Sequence, residues 1–587
     1  MAATTLGVER SIGGRRWRNR LDDDRLALAL AQRLDLPEIV ARVLAARGID
    51  ADRAGDFLNP TLRALLPDPS VMAGMDEAVA RLADAVVAGE TIGIFGDYDV
   101  DGATSSALLA RFIRAVGGRA LIYIPDRQKE GYGPNAPALL ALRERGARLV
   151  VTVDCGISAF EPLRLAHEAG IEVIVFDHHT AEAALPAARA VVNPNRLDDS
   201  SGLGQLAAVG VTFMAVVALN RELRRRGHYA TRAEPQLMAW LDLVALGTIC
   251  DSVPLTGLNR ALALQGFKAM ASRGNRGLAA LADIARITEA PGAYHAGFIL
   301  GPRINAGGRV AEPDLGVRLL TTEDGDVATG LALRLDALNI ERQTIEKGVL
   351  EAALRQAEAQ ADASCIVVAD PGWHPGVIGI VASRVVERFN RPAFVVALAG
   401  GIGKGSGRSL AGVDLGAAVT AARQAGLLVN GGGHPMAAGI TVEEGRLAEV
   451  AAFLCERLAR AVSERPVLPE LGIDGSLAVG AANVALLSAI ERLGPFGVGN
   501  AEPRFVVSGA RVVRADVVGA DHVRCILAGG DGARLKAIAF RAAGEPLGQA
   551  LTAGTGRELH LAGKLRMDRW QGAERAQLII EDAAPAQ

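Results

Sequence analysis

Cysteine and aromatic residues are scarce in this 587-residue chain. The five cysteines, Cys155, Cys250, Cys365, Cys455 and Cys525, form no C-x-x-C pair. That excludes a disulfide framework and a structural zinc site, and it fits a reduced, cytosolic setting. Charge of one sign is also missing. Sixty-three Lys and Arg face 66 Asp and Glu, a formal net charge of −3. Any affinity for nucleic acid must therefore come from local basic clusters. No apolar run approaches the roughly 20 residues of a membrane span. The first residues, "MAATTLGVERSIGGRRWRNRLDDD", hold no apolar stretch of signal-peptide length. A cytoplasmic protein with no membrane partner is the expectation.

What the chain has in quantity is Gly, Ala and short β-branched runs. Half of its residues are hydrophobic, which suits an α/β protein with Ala-rich helices. Its length implies several domains. Residues 1–75 read as a helical cap, ending in the Pro-rich "FLNPTLRALLPDPS". From 76 to 323 the runs "TIGIFGD", "ALIYIPD", "RLVVTVD" and "IEVIVFD" alternate with helix-length segments, the pattern of a parallel sheet covered on both faces. Residues 324–363 contain no Pro and predict one long connecting helix. A second α/β unit occupies 364–465. From 466 to 587, about five short strands with Gly-rich turns predict a small OB-type barrel. The barrel's Arg504, Arg511, Arg514, Arg524 and Lys536 suit backbone contacts with nucleic acid. Its few aromatics, Phe505, Phe540 and Trp570, limit base stacking.

All four strands of the first lobe end in aspartate: Asp97, Asp126, Asp154 and Asp177. Ligands of open parallel sheets bind at these carboxyl ends. The stretch "DYDVDG" (97–102) also opens like a calcium-binding EF-hand loop. That reading fails, because loop position 12 is Leu108 instead of Glu and a strand precedes the loop where a helix is required. A dinuclear metal site is the alternative. It needs a bridging carboxylate and ligands from several segments. Carboxylates with imidazole suit Mg²⁺ or Mn²⁺, and histidine tilts the balance toward Mn²⁺.

Asp177-His178-His179 in "FDHHT" resembles the motif that names the DHH phosphoesterase superfamily. "GDYDVDGATSSALL", "VTVDCGIS" and "LGTICDSVPL" (246–255) resemble the other core motifs. "IPDRQKEGYG", "GPRINAGGR" and "GPFGVGNAEPRF" are similar to segments of the superfamily's single-strand-specific exonucleases. "GGGHPMAAGIT" (431–441) is similar to the DHHA1 domain that follows the core. The resemblance implies a DHH-type parallel-sheet core with helical cap, a long helix to a DHHA1-like α/β domain, and an OB-type barrel. It implies two divalent ions, Mn²⁺ or Mg²⁺. Asp97, Asp99 and Asp154 would hold one; Asp101, Asp154, His178 and Asp251 would hold the other. His179 would contact the scissile phosphate. Arg127, Arg303, Asn305, Arg309, Ser406, Arg408 and His434 match positions that hold DNA phosphates. Phe95 stands where some relatives place a ligating histidine, and Gly307-Gly308 replaces Ala-Gly.

The implied activity is metal-dependent hydrolysis of single-stranded DNA from its 5′ end, in repair and recombination. The implied partners are a single-strand-binding protein and a helicase, with the protein itself a monomer. Two other readings remain at this stage. One is a DHH phosphodiesterase for short oligonucleotides; the other is a DNA-binding scaffold that does not cut.

Overall fold

The computed structural model describes residues 4–127, 129–464, 469–569 and 574–586. Five parallel strands form the first sheet, in the order 119–123, 91–96, 147–153, 172–176 and 190–192. The chain leaves Thr91–Gly96 for one neighbour, then returns to the other. Strand order therefore reverses at the carboxyl ends of Thr91–Gly96 and Ala147–Val153, the point where open α/β sheets bind ligands. Continuous apolar runs fill these strands because both faces are covered. Ile92, Ile94, Val151 and Phe176 pack on one side, and Phe95, Val150 and Val175 on the other. Phe95 is fully buried and stacks on Tyr123, with centroids 5.5 Å apart.

Helix Gly325–Glu358 is the spine of the molecule. Its 34 residues give it a length of about 50 Å. Asp324 caps its start, accepting from Asp326 N and Val327 N. It ends a few residues before 363, where the chain turns into the next strand. Leu331, Leu335 and Leu338 bury in the first lobe, and Val349, Ala353 and Ala357 in the second.

The second lobe is a five-stranded mixed sheet, ordered 430–434, 437–443, 402–408, 393–399 and 366–370. Here composition misleads. "GGIGKGSGRSLAG" (400–412) reads from its sequence as a Gly-rich loop, yet Ile402–Arg408 is an interior strand. Side chains alternate across a sheet, so Gly403, Gly405 and Gly407 share one face. A Cβ at Gly407 would run into the Phe394 ring, and one at Gly405 would lie 2.6 Å from Ile440. The glycines make room for large neighbours. Lys404, Ser406 and Arg408 point to the opposite face.

Five strands near the C-terminus close into a barrel through the pairing of 505–518 with 558–568. The N-terminal helices are fused to it. Leu30, Val40 and Leu44 share one apolar cluster with Phe505, Leu535 and Leu578. Strand Arg16–Asn19 pairs in parallel with Glu470–Ile473. Buried Asp582 accepts hydrogen bonds from Ser11 Oγ (2.6 Å), Trp17 Nε1 (3.0 Å) and Gly13 N (2.9 Å). Among the described residues no helix is long and apolar enough to cross a membrane.

The Asp582 cluster generates a prediction. Asp582→Ala leaves two buried donors, Ser11 Oγ and Trp17 Nε1, and the Gly13 amide without their acceptor and should cost ~3 kcal/mol of cap-and-barrel stability. Urea titration of tryptophan emission reads this through buried Trp17. An unchanged midpoint would refute the role of Asp582 as a clasp.

Candidate metal centre and phosphate cleft

The carboxylates converge because each sits at the end of a rigid element. Asp97 follows strand Thr91–Gly96. Asp99 is the N-cap of helix Val100–Ala115, where its Oδ1 accepts from Asp101 N (2.9 Å) and Gly102 N (3.1 Å). A side chain at Gly102 would strike the Asp97 backbone, its Cβ 2.6 Å from Asp97 N. The glycine that mimicked a calcium loop thus lets the helix press against the strand end. Asp101 in the first helical turn is held by Ala208 N (2.7 Å) and Val209 N (2.9 Å), at the start of helix Ala208–Arg225. Asp154 follows strand Ala147–Val153 with φ of +62°, a left-handed conformation that costs a non-glycine residue about 1–3 kcal/mol. Asp251 closes helix Leu241–Cys250.

Three groupings result, each with ligand atoms within 4.8 Å of one another: Asp97, Asp99 and Asp154; Asp101, His178 and Asp251; Asp154, His178 and His179. His178 Nε2 lies 3.4 Å from Asp154 Oδ1, 3.6 Å from Asp251 Oδ2 and 3.9 Å from Asp101 Oδ2. Asp97 Oδ1, Asp251 Oδ2 and His178 Nε2 are buried without a hydrogen-bond partner. Buried polar atoms are rarely left so. Oxygen and imidazole donors aimed at one another fit divalent cations of the Mg²⁺ and Mn²⁺ type.

Electrostatics agree with the geometry. Burial, reinforced by neighbouring carboxylates, pushes Asp97 and Asp154 upward, Asp101 to about 7 and Asp251 to about 9. Burial lowers His178 to about 4, and proximity of His179 adds to the drop. His179 moves the other way. Burial opposes its charge, but the hydrogen bond and charge of Asp177 carry it up to about 9.

Asp177 is fully buried and works through the backbone. Its Oδ1 accepts from His178 N (2.7 Å), His179 N (3.1 Å) and His179 Nδ1 (2.7 Å), while Oδ2 takes Ile157 N (3.0 Å). It orients the histidines instead of joining the groupings. Asp126, the remaining strand-end acid, lies outside them and pairs with Lys129 at 3.0 Å.

Three supporting residues escaped the sequence reading. Tyr132 Oη donates to Asp154 O (3.0 Å) and sits 3.2 Å from His179 Nδ1. Asn193 and Asn195 tie the carbonyls of His179 and His178. The run "VVNPN" after the fifth strand was a usable signal, since a polar pair at a strand end faces the same cleft.

Beside the carboxylates lies a cavity of about 720 Å³ between the lobes. Arg127, Tyr132, Arg309, Ser406, Arg408 and His434 line it, with Gly376 and Gly379 at the start of helix Ile378–Phe389. Arg408 Nη1 donates to Ser406 Oγ (3.0 Å), and Arg309 Nη1 to Gly376 O (2.9 Å). A Cβ at Gly379 would lie 3.0 Å from both Ser406 Oγ and Arg408 Nη2, so the glycine admits the guanidinium. Burial first, then Arg127, lowers Arg309 to about 10 and lowers Arg408 as well. Crowded guanidiniums beside a helix N-terminus form an anion site. Arg303 and Asn305 do not line this cavity; Arg303 Nε is bound to Asp336 Oδ1 at 2.8 Å.

The barrel's cations are mostly engaged. Arg514 pairs with Asp516 (2.7 Å), Arg504 with Glu581, and Lys536 with Asp568 (3.0 Å). Phe505 is buried in the barrel core and Phe540 is exposed. Trp570 lies outside the described residues.

Family comparison is consistent with this architecture. The DHH family N-terminal domain matches residues 91–248, the DHHA1 domain 362–460 and the RecJ OB domain 473–582. A relative from Dickeya dadantii named single-stranded-DNA-specific exonuclease RecJ is 38% identical, over 94% of this chain and 96% of its own length. The protein of that name from Escherichia coli is 36% identical over the same shares. Among solved structures, RecJ from Thermus thermophilus in complex with Mn²⁺ matches with a TM-score of 0.80 at 32% identity, covering 97% of this chain and 79% of that one. With three domains matched in order and such identity along nearly its whole length, the chain belongs to the RecJ family.

Proposed function

We propose that this chain is a metal-dependent exonuclease that hydrolyses single-stranded DNA from the 5′ end, in DNA repair and recombination. The observation that carries this reading is a carboxylate–histidine cluster and a guanidinium cavity sharing one cleft, with Tyr132 bordering both. Curated relatives bear the name single-stranded-DNA-specific exonuclease, and solved relatives hold Mn²⁺ or Mg²⁺.

Asp97, Asp99 and Asp154 would hold one divalent ion, and Asp101, Asp154, His178 and Asp251 the other. The chemistry such ions would supply here is acidification of a water and relief of charge on phosphate oxygens. The chain's own groups do the rest. Asp177 fixes the His179 ring through Nδ1 and favours its charged form, so that the free N–H is available to a non-bridging phosphate oxygen as negative charge builds. Tyr132 braces the Asp154 backbone and the same ring. Arg127, Arg309, Ser406, Arg408 and His434 receive the terminal 5′ phosphate, which places the end of the strand and makes the enzyme an exonuclease. Arg303 and Asn305 act further along the strand. The barrel holds the strand by its backbone, with little sequence preference. We place the protein in the cytoplasm as a monomer, on strands opened by a helicase and covered by a single-strand-binding protein.

Two outcomes are expected. Asp154→Asn removes one of several crowded buried charges while keeping a residue type tolerant of the left-handed conformation. Cleavage should vanish, yet in chelator the variant should melt above the parent, by about 2–4 °C for ~1 kcal/mol relieved. Calorimetry beside a nuclease assay checks both; a lower melting temperature would show that repulsion is not the dominant strain. Arg408→Ala should raise KM for 5′-phosphorylated strands about ten- to a hundredfold, the loss of a charge-assisted hydrogen bond. Strands with a 5′ hydroxyl should respond little. Equal losses on both would remove the 5′ phosphate from this cavity.

A further inference from the structure

Arg260 lies in helix Gly257–Ala271, which follows Asp251 after one short turn. Its side chain is 1% exposed, among the largest fully buried in the molecule. All three of its hydrogen bonds end on backbone carbonyls from distant parts of the chain. Nε donates to Phe57 O (2.9 Å), Nη1 to Leu493 O (2.7 Å) and Nη2 to Arg492 O (3.1 Å). The guanidinium also sits 4.1 Å from the centre of the Phe57 ring.

These carbonyls are not arbitrary. Phe57 is in the last turn of helix Ala51–Leu58, in the N-terminal cap. Arg492 and Leu493 directly follow helix Val484–Glu491, on the approach to the barrel. Each helix leaves unsatisfied carbonyls and roughly half a negative charge at its C-terminus. Two such ends facing one guanidinium supply about one compensating charge, which is how a cation is buried here on carbonyl oxygens. Burial still lowers its pKa to about 9, with Arg47 adding to the effect.

Two of the carbonyls it holds, those of Arg492 and Leu493, directly precede "GPFGVGNAEPRF" (494–505). Asn500 Nδ2 folds that segment onto itself, donating to Leu493 O (2.9 Å) and Pro495 O (2.7 Å). Arg47 Nη2 adds Ala501 O (2.6 Å) from the cap side. Leu255 N, in the turn after Asp251, bonds Val498 O (2.8 Å). Cap and barrel share one apolar cluster, while the first lobe has its own. Arg260 is bonded to carbonyls of the cap and of the approach to the barrel from a helix of the first lobe.

We infer that Arg260 is a positioning residue: by capping two helices of the cap-and-barrel unit from the catalytic lobe, it fixes where the barrel meets the strand relative to the carboxylate cluster. The inference rests on the proposal that the barrel holds DNA. It makes substrate length the revealing variable. A strand that fills only the cleft never reaches the barrel, whereas a longer one spans both.

Arg260→Met and Arg260→Lys test this, with 5′-phosphorylated strands of the two lengths. On the short strand both variants should keep the parental kcat and KM. On the long strand the Met variant should show KM raised about ten-fold at unchanged kcat, the scale of losing one charge-assisted contact with a phosphate, with Lys between. Small-angle X-ray scattering should show a larger radius of gyration for the Met variant. An equal change of KM on both lengths, or none on the long strand, overturns the inference. If the Met variant does not fold, the Lys variant decides by the same comparison. If the parent cleaves neither strand, the exonuclease reading falls instead, and scattering alone judges Arg260, an unchanged radius counting against it.

Discussion

Like charges resist being gathered where water is excluded, and this fold gathers five carboxylates around two histidines. Everything near the cluster opposes that repulsion. Asp101 is held by two amides at the start of a helix, Asp99 caps the helix that carries Asp101, and Asp177 is secured by the amides beside it. For Asp99 and Asp101 the donors are backbone amides, which add no counter-charge side chain that would compete with a cation. The remaining oxygens and the His178 nitrogen face inward, and a divalent ion relieves what the protein leaves strained.

The second lobe applies the same logic with the sign reversed. Burial, and then the neighbouring Arg127, lowers the pKa of Arg309 and Arg408 at the cavity wall, beside a helix N-terminus. Such a cleft, with cations at one end and a carboxylate–histidine cluster at the other, suits a nucleic-acid backbone. The spine helix keeps the two charge clusters at a fixed separation, because its residues are buried in both lobes.

The sequence made the first lobe legible because its chemistry is periodic: apolar strands, each ending in an acid, and each end brought into register by a parallel sheet. Asp97, Asp154 and His178 come together by that register, whereas Asp99, Asp101 and Asp251 are delivered by helix ends and were legible through the family resemblance. Legibility failed where glycine had two meanings. In Ile402–Arg408 the alternating glycines looked like loop residues, although they are the small face of an interior strand under Phe394 and Ile440. It failed also where the partner is backbone. Arg260 binds carbonyls, which every residue has, so no pattern of side chains announces it. Arg303 matched a family position, but its ion pair to Asp336 turns it away from the cavity.

The clasp between the chain's two ends has a consequence for how the protein is made. Ser11 and Asp582 are 571 positions apart, and the cap helices have no core of their own without the barrel. At a synthesis rate of ~5–20 residues per second, the first helices wait roughly half a minute to two minutes for their packing partner. Throughout that interval Leu30, Val40 and Leu44 lack the barrel surface that later covers them. The catalytic lobes, whose contacts lie between the two ends, complete their own cores while the termini remain apart.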